Sequence, residues 1–145
     1  MIEDGELEKA LPFYSAMIQY QDHLLNDSTI AMMNNNYAYV LAKLSRFEEA
    51  LPYAEKAIRK NPEDHHAWHT HGLIMHQMGN HKTAEESYRK SIEGDRKHWE
   101  AWDDLIRLLD ETNQAPKLEQ AKRELTQAKS SEEDRTGSRL GRLFT

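Results

Sequence analysis

HHAWHTHGLIMHQMGNHKTAEESYRKSIEGDRKH, residues 65–98, is the stretch that decides the fold. Trp68, Gly72 and Met75 are spaced four and three apart and so share one face of a helix. After an interruption at Gly79-Asn80, His81, Ala84, Tyr88 and Ser91 mark a second amphipathic helix. One fixed step along the chain reproduces the first set on both sides, as Asn34, Ala38 and Leu41 before it and Trp102, Ile106 and Leu109 after it. The second set recurs at Phe47 and Ala50, and again at Leu118, Ala121, Leu125 and Ala128. Leu7–Phe13 matches Phe47–Tyr53 almost residue for residue. Gly, Asn, Ser and Pro punctuate the pattern, as at Asn61-Pro62. First and second helices alternate along the chain, and the expected fold class is all-α.

Composition narrows the function. The 145 residues fit one domain. Lys and Arg number 19 against 25 Asp and Glu, a net charge of −6, so no nucleic-acid partner is expected of a surface lacking a basic face. The absence of cysteine removes disulfides, thiolate nucleophiles and Cys-based zinc sites. Apolar runs are short and mean hydropathy is −0.90, which argues against membrane insertion. Met1–Asp4 lacks a secretory pattern, and a cytoplasmic location is the plain expectation. Charged residues reach 30%, so the fold should be elongated, each element buried mainly against its neighbours.

With Trp68, Gly72, Ala84 and Tyr88 in place, the chain resembles the tetratricopeptide repeat proteins, whose helix–turn–helix unit recurs at this same step. His71, Met75 and Ser91 depart from the family pattern, and Asn34 stands where Trp is usual. The resemblance implies a right-handed α-solenoid with a concave groove. It divides the chain into a leading helix over 5–27, repeats over 31–64 and 65–98, and a degenerate repeat with a capping helix over 99–130. The loop from Asp110 to Lys117 reads as three residues longer than its counterparts. Residues 131–145 read as a tail carrying Arg135, Arg139 and Arg142, a candidate internal ligand. The leading helix is apolar around much of its girth, and Leu11, Phe13, Ile18 and Tyr20 are the expected interface with a partner or a second copy of the chain.

Catalytic chemistry finds no footing. There is no nucleophile motif and no phosphate loop, and Asp103 and Asp104 are sequence neighbours that diverge on a helix. His65 and His69 share a face one turn apart, yet HExxH is absent and no carboxylate has an assigned place beside them. No enzyme activity, no cofactor and no metal are therefore assigned.

The resemblance also implies which side chains line the groove. Carried onto this chain, it selects Asn35, Asn36, Tyr39 and Lys43 from one first helix. His66, His69, Leu73 and His76 come from the next, and Asp103, Asp104 and Arg107 from the third. Asn amides offer a donor and an acceptor to an extended backbone. Glu100, Asp103, Asp104, Asp110 and Glu111 against Arg107 give the third helix a local charge of about −4, which favours a basic segment. The chaperone-binding relatives use Lys and Arg on that helix to clamp an acidic peptide. Here Glu100 and Asp104 hold those positions, so that role is not expected. The expected function is a non-enzymatic adaptor or scaffold that binds a basic protein segment. The alternative is a structural subunit or assembly factor of a larger complex, docking or self-associating through its leading helix.

Overall fold

The computed structural model describes residues 4–143, except for the side chains of Leu24, 138–140 and Leu143. These residues form seven helices: α1 (Asp4–Leu24), α2 (Asp27–Lys43), α3 (Phe47–Lys60), α4 (His65–Gln77), α5 (His81–Gly94), α6 (Trp99–Glu111) and α7 (Ala115–Leu143). No strand occurs among them. Helices α2, α4 and α6 form an inner layer in which each packs on the next. Helices α1, α3, α5 and α7 form the outer layer and meet one another only through side chains, as in Lys56–Asp22 at 3.2 Å and Lys117–Glu85 at 3.1 Å. The molecule is an all-α solenoid.

The turns show why the repeat holds. Ser45, Gly79 and Asn113, each one repeat from the next, all take the left-handed conformation, with φ of 58°, 83° and 56°. Behind each, the chain makes the same return bond: Arg46 N to Leu41 O, Asn80 N to Met75 O and Gln114 N to Leu109 O, each 2.9 Å. This is the helix-ending motif that satisfies an orphan carbonyl in the last turn. At the helix starts, Asn26 Oδ1 accepts from Thr29 N and Asp64 Oδ1 from His66 N.

The core alternates large against small. Ala38, Ala50, Ala54, Ala57, Ala84 and Ala101 are fully buried, which lets helix axes approach, and Trp102, Tyr88, Leu105 and Leu109 fill the gaps between them. Trp68 Nε1 donates to Pro62 O at 2.7 Å and Trp102 Nε1 to Arg96 O at 3.0 Å, one repeat apart. In the same frame Asn34 Nδ2 donates to Ile30 O at 2.7 Å and to Gln21 Oε1 at 2.5 Å. A buried polar pair thus replaces the indole where the leading helix docks.

Two expectations about the C-terminal part are corrected. The α6–α7 turn, residues 112–114, is no longer than 44–46 or 78–80. The apolar stripe of α7 is offset by three residues, and a shift of three lands on nearly the same helix face. The segment after 130 is not a separate tail, because α7 runs on to Leu143. Glu132, Glu133 and Arg135 favour the helix where it passes residue 130, and Lys97 Nζ ties Glu132 at 2.7 Å. Among its described residues none lines the concave groove, and Arg135 lies beside Arg96, Lys97 and Glu132 instead. The Arg139 side chain lies outside the described residues.

Candidate functional site

The concave face carries two adjoining cavities. One, of about 490 Å³, lies over Tyr39, Lys43, His69, Leu73, Asp103, Asp104 and Arg107. The other, of about 670 Å³, lies over Met32, Asn35, Asn36, Tyr39, His66, His69 and the turn that leads into α6. Tyr39, His69 and Glu100 belong to both and form the waist between them. Inner helices pack side by side, so residues one turn apart on three helices face a common channel. Of the eleven groove residues expected from the sequence, the structure brings ten to these walls. His76 is the exception. It is buried behind the wall, with Nδ1 3.1 Å from Tyr88 Oη and Nε2 2.7 Å from Glu111 Oε2.

Electrostatics inside the groove are gentler than the sequence suggests. Asp104 is 2.7 Å from His69 Nε2 and 3.2 Å from Arg107 Nη1, and Glu111 is held by His76. Across both cavities Asp64, Asp95, Glu100, Asp103 and Asp104 face Lys43, Lys97 and Arg107, which leaves the lining two charges negative. Among the described residues Glu100 and Asp103 have no ion-pair partner. Asn35 is 8% exposed, and among the described residues its Oδ1 has no hydrogen-bond partner. An unmet buried amide oxygen costs about 1–3 kcal/mol, so this wall gains if a donor reaches it.

A histidine cluster lines the second cavity and reaches its waist. His65, His66 and His69 on α4 meet His98, which the sequence reading passed over because it lies in the turn before α6. His65 Nδ1 and His98 Nδ1 are 3.0 Å apart, and the His69 and His98 rings are 4.7 Å apart, edge to face. Burial, and then the neighbouring His69, His65 and His66, push His98 down to about 4. Burial and His66 lower His65 as well. The signal for His98 was available: first helices pack one repeat apart, so residue 98 falls beside the start of α4.

The expected N-terminal interface divides. Leu11 packs against the core and Ile18 is half-buried, whereas Phe13 and Tyr20 stand out at 73% and 60% exposure with Met17 between them. No helix among the described residues is long and apolar enough to cross a membrane.

Comparison with known proteins accords with this architecture. Residues 28–97 match the family described as tetratricopeptide repeat. The Caenorhabditis elegans tetratricopeptide repeat-containing protein trd-1 is 22% identical over 113 residues, which is 78% of this chain and 14% of that protein. The chain thus spans a small part of that relative's length. MamA 41-end from Desulfovibrio magneticus RS-1 superposes with a TM-score of 0.71 at 17% identity, covering 90% of this chain and 68% of that one. The first repeat domain of Spaghetti (RPAP3), bound to the HSP90 peptide SRMEEVD, gives 0.66 at 16% identity over 75% of this chain and 82% of its own. At such identities the likeness is one of fold.

Proposed function

We propose that this chain, which belongs to the tetratricopeptide repeat family, is a non-enzymatic adaptor that holds an extended protein segment with basic residues in its concave groove. The observation that carries this reading is the run of two adjoining cavities across α2, α4 and α6, lined by amide and charged side chains as well as apolar ones. Its shape suits a strand-like backbone better than a compact small molecule. The Asn35 and Asn36 amides would pair with the guest backbone, Tyr39 and Leu73 would pack on its side chains, and Glu100 and Asp103 would receive Lys or Arg. The RPAP3 domain holds the peptide SRMEEVD, in which three of the last four residues are acidic. A lining with two surplus negative charges supports the opposite preference here.

The exposed stripe Phe13, Met17 and Tyr20 supports a second reading, in which α1 docks the chain into a larger assembly. One experiment separates the two: affinity capture with the intact chain, with Asp103→Lys and with Phe13→Glu/Tyr20→Glu, followed by titration of the captured partner. Asp103 is exposed, so its reversal spares the fold. On the groove reading Asp103→Lys weakens binding about tenfold, roughly 1.4 kcal/mol, while the α1 variant binds normally. Binding lost only in the α1 variant would replace the groove reading with the second. A wild-type chain that elutes as a dimer, with the α1 variant monomeric, would identify the partner of α1 as a second copy.

A further inference from the structure

We infer that the waist of the groove binds a divalent transition-metal ion of the zinc class, with His69, His98 and Glu100 as its ligands. One ligating atom from each of these residues lies within 4.8 Å of the others. Two imidazoles and a carboxylate are a donor set that suits zinc and its neighbours in the series, and three protein ligands leave coordination positions open.

The hydrogen bonds around the trio point the same way. Asp104 accepts only, so His69 carries its proton on Nε2 and donates it at 2.7 Å, which leaves Nδ1 with its lone pair. This is the carboxylate–histidine arrangement that raises the basicity of a metal-binding imidazole, and Arg107 in turn anchors the carboxylate. Ser91 Oγ spends its one proton on His65 O at 2.7 Å, so it accepts from His98 Nδ1 at 3.0 Å. His98 Nε2 is then the unprotonated nitrogen. Glu100 is exposed and unpaired among the described residues, so it swings in without breaking a bond. His69 and His98 are buried, so two ligands are held and one is mobile.

His65, His66 and His98 form the competing set, with donor atoms at similar separations. There His65 Nδ1 already faces the His98 Nδ1 proton, and the exposed His66 has no side-chain hydrogen bond among the described residues to orient it. The first set is therefore the better prepared.

The inference is independent of any protein guest, and its test uses the metal alone. Zinc titrated into the intact, chelator-treated chain by calorimetry should show one ion per chain at micromolar affinity or tighter. Glu100→Gln, at an exposed position that leaves the fold unaffected, should weaken it at least tenfold, and so should His98→Asn. Asp104→Asn, which touches no metal, should cost about ten- to a hundredfold. His66→Ala and His81→Ala should bind as wild type. Cobalt in place of zinc should give visible absorption that Glu100→Gln alters. Circular dichroism confirms that each variant is folded. No ion at micromolar concentrations, unchanged affinity in Glu100→Gln, or loss in His66→Ala would each overturn the assignment.

Discussion

Trp102→Ala should lower the stability of the chain by about 3–5 kcal/mol, the usual range for deleting a buried aromatic ring. Trp102 is 1% exposed and packs within the cluster that joins α5, α6 and α7. Two further losses add to the cavity. The Arg96 carbonyl loses the indole N–H, and the Arg96 guanidinium loses the ring that it overlies at 5.9 Å. Trp68 makes the equivalent bond one repeat earlier but is only half-buried, so Trp68→Ala should cost markedly less. Urea unfolding of the two variants beside wild type measures both. Equal losses, or a Trp102→Ala loss below about 1 kcal/mol, would show that the third repeat is not part of the cooperative core.

Gly72→Ala is the second large effect, and its sign is set by Tyr88. Alanine in a helix interior ordinarily gains about 1 kcal/mol over glycine. Here a Cβ on residue 72 would sit 2.6 Å from two ring carbons of Tyr88, which is fully buried. The ring has no exit, because its hydroxyl is held by His76. Overpacking of this kind costs about 1–3 kcal/mol, enough to outweigh the propensity gain. The preceding repeat shows the other solution to the same contact: there the equivalent pair is Ala38 with Ala54, both fully buried. In a Tyr88→Ala background the substitution Gly72→Ala should therefore turn neutral or stabilising. A double-mutant cycle by thermal or urea denaturation reads the coupling directly. No coupling would mean that the ring moves aside at no cost.

These residues also show what the sequence makes legible. The spacing of Trp68, Gly72, Ala84 and Tyr88 is enough for helices, alternation and layer, because burial on one face imposes it. Helix ends are less legible. The expected offset in α7 arose because Leu118, Ala121, Leu125 and Ala128 fit a stripe in more than one register. The left-handed turn at Asn113 selects the register, and Asn is a weaker signal for that turn than Gly79. Ten of the eleven side chains that the family resemblance implies for the groove line the two cavities, and His76 does not. Their charge does not follow from the repeat frame, because pairs such as His69–Asp104 and His76–Glu111 form from one repeat to the next and engage carboxylates that look free in the linear sequence. His98 escaped notice for a related reason: it lies on a turn, outside any helical stripe, and acquires meaning only from the helix one repeat before it.

That repeat-to-repeat ladder, together with the Lys97–Glu132 pair of the same span, bears on how the molecule responds to stress. Among the described residues every helix touches only its neighbours, and nothing joins α1 to α7. Tension applied at the ends is passed along a series of thin interfaces rather than shared by one central mass. Such a body behaves as a spring. It opens and recloses from its extremities while the middle repeat, braced on both sides, keeps its shape.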